Sequence, residues 1–139
     1  MTNLFRTMEP YKFKLDMTNG ETIRVCSGGI VDSIQIGDRD RAGGETGKEH
    51  EFTLEEGEMI VLVKGTRVRF PHKDSELCIG KIKFKTNLGN VHGPFGHSAK
   101  GKKRRIEEKF NFNCAGGLKK ISGLAGDYVN SVNCKFQME

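Results

Sequence analysis

Ile23-Arg24-Val25-Cys26-Ser27-Gly28-Gly29-Ile30-Val31-Asp32-Ser33-Ile34-Gln35-Ile36 decides the fold. An alternating segment runs into a glycine bend, and a second segment leaves it with isoleucine or valine at every other place. Period two marks a half-buried strand, so the stretch reads as two strands and the turn between them. The pattern recurs as Lys120-Ile121-Ser122-Gly123-Leu124-Ala125-Gly126-Asp127-Tyr128-Val129-Asn130-Ser131-Val132-Asn133-Cys134-Lys135-Phe136. A stretched copy lies between them. Val61-Leu62-Val63-Lys64-Gly65 is followed by an insertion through Arg69-Phe70-Pro71-His72-Lys73-Asp74 and then by Leu77-Cys78-Ile79-Gly80-Lys81-Ile82-Lys83-Phe84. Single sheets of this size cannot hide their apolar faces alone, so three such units are expected to pack about a common axis.

Working outward, Tyr11-Lys12-Phe13-Lys14-Leu15 alternates in the same way and meets an Asn19-Gly20 turn before Thr22 to Val25, which predicts a hairpin. The same design predicts hairpins from Glu51–Leu54 into Met59–Val63 across Gly57, and from Lys109–Phe112 into Leu118–Ile121 across Gly116-Gly117. Eighteen glycines, no tryptophan and the absence of a helical period in any long window point to an all-β chain. At 139 residues it reads as one domain over 11–137, with residues 1–10 as an N-terminal extension. No apolar run approaches bilayer length, and Met1–Pro10 shows no hydrophobic core of an export signal.

Of 23 basic residues set against 18 acidic ones, Lys100, Lys102, Lys103, Arg104 and Arg105 fall in one short run, and they account for the net charge of +5. The bland reading is a solvated loop. The functional one is contact with a polyanion such as sulfated glycan or an acidic matrix, and the lack of interleaved aromatic residues argues against nucleic acid. Cys26, Cys78, Cys114 and Cys134 lack zinc-site spacing, and buried thiols are expected rather than disulfides. His50, His72, His92 and His97 are scattered and make no nucleophile motif with serine or cysteine, so neither an enzyme nor a metal site is expected.

Gly43-Gly44, Phe84-Lys85-Thr86-Asn87-Leu88-Gly89, Gly93-Pro94-Phe95-Gly96 and Ile121-Ser122-Gly123-Leu124-Ala125-Gly126-Asp127-Tyr128 give a likeness to a family. The chain resembles the jacalin-related lectins, with the griffithsin-like and animal-type members nearest in pattern. The resemblance implies a β-prism I of three Greek-key antiparallel sheets with pseudo-threefold symmetry. It also implies reversible binding of mannose- or glucose-type sugars without metal, cofactor or catalysis, and an extracellular role. A sugar offers neighbouring hydroxyls that donate and accept, so a fixed carboxylate facing backbone N–H groups suits it, and glycines let the backbone approach. Such sites are weak singly, which favours a homodimer.

Carried across by position, the first unit satisfies G-x-x-x-D with Gly28, Gly29, Ile30 and Asp32, completed by Gly43 and Gly44. The third unit offers a second candidate, Gly126, Asp127, Tyr128 and Asn130, where an amide stands in for the carboxylate. In the second unit Gly80 occupies the aspartate position, so no site of this type is expected there, and Gly93–His97 reads as a turn. The alternative reading is a scaffold without lectin activity that docks an acidic partner through residues 100–105.

Overall fold

The computed structural model describes residues 9–17, 21–70, 75–96 and 105–137. They form eleven strands and no helix: β1 (Tyr11–Asp16), β2 (Thr22–Ser27), β3 (Val31–Ile36), β4 (Ala42–Gly43), β5 (Lys48–Thr53), β6 (Ile60–Arg69), β7 (Leu77–Thr86), β8 (Val91–Gly96), β9 (Ile106–Asn113), β10 (Leu118–Ala125) and β11 (Val129–Phe136). Three antiparallel sheets result, ordered β4-β3-β2-β5, β8-β7-β6-β9 and β1-β10-β11. In the first two, three consecutive strands are followed by a fourth that returns beside the first, which is the Greek key. In the third, β1 takes that returning place beside β10, so the start of the described chain closes the sheet made by its end.

Alternation explains which faces meet. Along β7, Ile82 and Phe84 are fully buried while Lys81, Lys83 and Lys85 point away. β2 and β3 supply Ile23, Val25, Ile34 and Ile36 to the same core, and β10 supplies Ile121. Removing a side chain such as Phe84 from water is worth about 1.5–3 kcal/mol. Between the first two sheets Phe52 packs against Phe84 with ring centroids 5.6 Å apart, and His92 stacks on Phe52 at 3.9 Å.

The three hairpins expected across Asn19-Gly20, Gly57 and Gly116-Gly117 do not form. β1 pairs with β10, β5 with β2, and β9 with β6, so each of these turns carries the chain into another sheet. Consecutive strands pair instead within the sheets, most extensively as the hairpins β2–β3, β6–β7 and β10–β11. Alternation is satisfied by either pairing; burial of inner faces against a common core chooses between them. The crossing at 54–59 is held by side chains. Glu58 accepts from Thr86 Oγ1 and Asn90 Nδ2, each at 2.7 Å, while Asn87 Oδ1 accepts from Met59 N at 2.8 Å. The hydrogen bonds from the Glu55 amide, Asn90 and Thr86 hold the Glu58 carboxyl below its usual range. Thr86 and Asn87 therefore have a structural task here. The Gly93–Gly96 segment is strand β8 rather than a turn, and His97 lies outside the described residues.

Candidate functional site

The hairpins β2–β3, β6–β7 and β10–β11 share one irregularity. In β2–β3, Cys26 faces Ser33 and Ser27 faces Val31, leaving Asp32 without a ladder partner. In β6–β7, Thr66 faces Lys81 and Arg67 faces Ile79, so Gly80 is skipped. In β10–β11, Leu124 faces Ser131 and Ala125 faces Val129, skipping Asn130. A β-bulge inserts one residue and re-aims its side chain. Asp32, Gly80 and Asn130 are thus the same position in three copies, as their place in the sequence repeat implies. The residues two places earlier, Ile30, Cys78 and Tyr128, meet with Val68 in a small core of their own, so the three bulges surround one end of the prism.

In the first copy, Asp32 is nearly buried and the 43–47 segment lies beside it. Gly43 pairs with Ser33, and the Gly44 N–H donates to the Asp32 carbonyl at 2.9 Å. The Thr46 hydroxyl donates to Asp32 Oδ1 at 3.0 Å. Gly47 has φ +84°, and a side chain there would meet Asp32 Oδ2 at 2.5 Å, so only glycine lets the loop close over the carboxylate. Burial pushes the Asp32 carboxyl up from 3.8 to about 6, with the Thr46 hydrogen bond opposing the rise. Gly28 and Gly29 are exposed, with nothing within 4 Å of where a side chain would start. The Gly28 N–H donates to the Ile30 carbonyl at 3.0 Å, and the Gly43 N–H donates to Tyr11 Oη at 3.1 Å. Gly43 and Gly44, assigned to the site from the sequence, thus both have their amides committed to the protein. Thr46 was missed by sequence reasoning, although a hydroxyl between Gly44 and Gly47 is a readable sign of a carboxylate partner.

In the third copy the same backbone is put to another use. The Gly126 N–H donates to the Tyr128 carbonyl at 2.9 Å, repeating the bend of the first. Tyr128 Oη, however, donates to Glu76 Oε1 at 2.6 Å, and its ring meets Phe70 edge-on at 5.5 Å. Asn130 Nδ2 donates to the Leu77 carbonyl at 3.0 Å, and the Asn130 carbonyl accepts from Arg67 Nε at 3.1 Å. Tyr128 and Asn130 are both buried and turned onto the elongated β6–β7 hairpin. The Asp127 backbone instead borders the first site, because a side chain on Gly44 would strike the Asp127 carbonyl. Arg67 lies in β6, Phe70 just past its end and Glu76 just before β7, and only coordinates could reveal that this end of the hairpin reaches over the third unit.

In the second copy, a side chain on Gly80 would sit 3.0 Å from Val68 Cγ1 and 3.1 Å from Thr66 Oγ1. Gly96, at φ +97°, lies against the Gly80 carbonyl as Gly43, at φ +111°, lies against that of Asp32. The backbone of a site is retained there without its carboxylate. Lys100, Lys102, Lys103 and Arg104 lie outside the described residues, and Arg105 is exposed. The four cysteines are thiols; burial pushes Cys134 up to about 12. Among the described residues no three histidine, cysteine or acidic side chains gather as a metal would require.

The jacalin-like lectin domain model matches residues 5–134. The chain belongs to this family. No curated protein sequence matches it significantly. Among solved structures it is similar to frutapin, a lectin from Artocarpus incisa, at TM-score 0.74 and 17% identity, covering 99% of this chain and 100% of that one. It is also similar to a mannose-binding jacalin-related lectin from Ananas comosus, at TM-score 0.69 and 22% identity over 96% and 93% of the two chains. Artocarpin in complex with mannotriose aligns at TM-score 0.73 and 16% identity over 96% and 98%. These likenesses establish the β-prism fold of this jacalin-like domain.

Proposed function

We propose that this jacalin-like domain is a lectin that binds mannose- or glucose-type sugars reversibly at Asp32, without metal and without catalysis. The observation that carries the reading is the Asp32 bulge: of three equivalent positions it alone bears a carboxylate, and a glycine-rich loop lies against it. Thr46 holds Oδ1, and the remaining lone pairs of the carboxylate accept from neighbouring sugar hydroxyls. Exposed Gly28 and Gly29 let a pyranose reach the backbone, where the N–H groups of Gly29 and Ile30 donate back. Charge assistance makes such hydrogen bonds roughly twice as strong as neutral ones, so the ionised form of Asp32 is the binding form. The sugar class is supported by the mannose-binding lectin of Ananas comosus and by artocarpin with mannotriose. The third unit contributes structure rather than a second sugar site, because Tyr128 and Asn130 are engaged by Glu76 and Leu77. A glycan array comparing the native chain with Asp32→Ala tests the assignment: mannose-type signals should disappear in the variant, and their persistence would remove Asp32 from the site.

A further inference from the structure

We infer that the outer face of the β8-β7-β6-β9 sheet is a second binding site, one that takes a linear sulfated polysaccharide. The cross-strand register sets out three rows: Lys81, Thr66 and Lys109; then Lys83, Lys64 and Asn111; then Lys85, Leu62 and Asn113. Rows of outward residues stand about 7 Å apart along a strand, and neighbouring strands about 4.8 Å apart. The first two rows line a groove of about 520 Å³, and the third lines a separate depression of about 430 Å³. Lysine stands in each of the three rows, so the charge runs along the strands instead of gathering at one point, which suits a polymer better than a small anion.

The charge on this face is uncompensated. None of Lys64, Lys81, Lys83, Lys85 and Lys109 makes an ion pair with another described residue, while the two acids of β9 are taken, Glu108 by Arg67 at 2.6 Å and Glu107 by Arg69 at 3.8 Å. The first sheet is built differently: there Arg24 pairs with Glu51 at 3.1 Å and Arg41 with Glu49 at 3.4 Å. Like charges held side by side raise the local potential and concentrate polyanions.

The groove's chemistry selects among polyanions. Lysine ammonium groups act as point charges for sulfate oxygens, and their methylene stems offer apolar surface to sugar rings. Thr66 and Asn111 add a hydroxyl and an amide for sugar hydroxyls. Phe110, the one aromatic residue among those lining the groove, is partly buried against the core and pairs in register with Gly65 rather than with an outward row, so no series of rings is presented to stack bases, and the concavity between strands does not match the flat surface of a membrane. Its lining shares no residue with the Asp32 site, and it does not depend on the sugar reading there.

Heparin affinity, measured by titration between about 50 and 200 mM salt, tests it. Lys64→Gln/Lys83→Gln should weaken heparin binding at least tenfold and flatten its salt dependence, and Lys64→Arg/Lys83→Arg should retain it. Asp32→Asn should leave it unchanged. Unchanged heparin affinity in the glutamine variant would overturn the proposal. So would duplex DNA, or vesicles of phosphatidylglycerol, binding through Lys64 and Lys83 as tightly as heparin does. Hyaluronate, which carries carboxylates and no sulfate, should bind more weakly; equal binding would overturn the preference for sulfate.

Discussion

Asp32 and Asn130 occupy the same place in two copies of one backbone, each skipped by the ladder and each two residues beyond an inward side chain. Around Asp32 the neighbouring segment is short and glycine-rich, and among the described residues one hydroxyl, that of Thr46, reaches the carboxylate. Around Asn130 the elongated β6–β7 hairpin brings the Leu77 carbonyl to the amide and Glu76 to Tyr128. One bulge thus sets a carboxylate beside an exposed glycine bend, and the other joins a seam between sheets. The difference lies in what the adjacent unit projects, since local backbone geometry is the same.

The most severe way to probe this contrast is Tyr128→Ala, which removes the ring from among Ile30, Val68, Cys78 and Phe70. It should cost about 3–5 kcal/mol in urea denaturation. Sugar affinity, measured where the variant is still folded, should stay within a few-fold of the native chain. Loss of sugar binding at unchanged stability would reverse the roles of the two copies.

Asn130→Asp restores the family residue and sharpens the comparison. The amide that donates to Leu77 would become a carboxylate facing a carbonyl, a loss of about 1–3 kcal/mol. No second binding equivalent should appear in calorimetry. A stable variant with doubled stoichiometry would show that a lone carboxylate is enough to make the site.

The smallest effect concerns the energetic cost of Asp32 itself. Its folded-state pKa of about 6 lies above the ordinary 3.8, so between those values the folded chain binds more protons than the unfolded one. Stability should therefore fall as pH rises from about 4 to above 6, where the cost is fully present. Asp32→Asn should gain about 1–2 kcal/mol at neutral pH, after allowing for solvent near the carboxylate, and almost nothing near pH 4. Urea denaturation at the two pH values reads this directly. Equal stabilities at neutral pH would mean that the carboxylate is not strained by burial.

The threefold plan was legible because strand alternation and glycine bends repeat, and Asp32, Gly80 and Asn130 could be aligned from it. Strand pairing was not. Phe52 and Leu54 alternate before Gly57 as a hairpin arm would, yet β5 pairs with β2, and the turn after it crosses between sheets under the hold of Glu58, Thr86 and Asn87. Such crossings are settled by long-range burial, which a local pattern cannot express. The approach of Gly43 and Gly44 to Asp32 was legible, since a carboxylate and glycines have few alternatives in a tight bend. The engagement of Tyr128 and Asn130 was hidden, because Arg67, Glu76 and Leu77 are distant in sequence. The lysine track could have been read from Lys81, Lys83 and Lys85 alternating with Ile82 and Phe84, had both faces of the strand been followed.

Calorimetric titration of methyl α-mannoside from about pH 5 to 8, with the native chain and Asp32→Asn, tests the central claim most directly. If ionised Asp32 receives the sugar, native affinity holds above neutrality and declines, by up to about tenfold per unit, once pH falls below about 6. The variant then binds at least tenfold more weakly with a flat profile. Native-strength, pH-independent binding by Asp32→Asn would contradict the account.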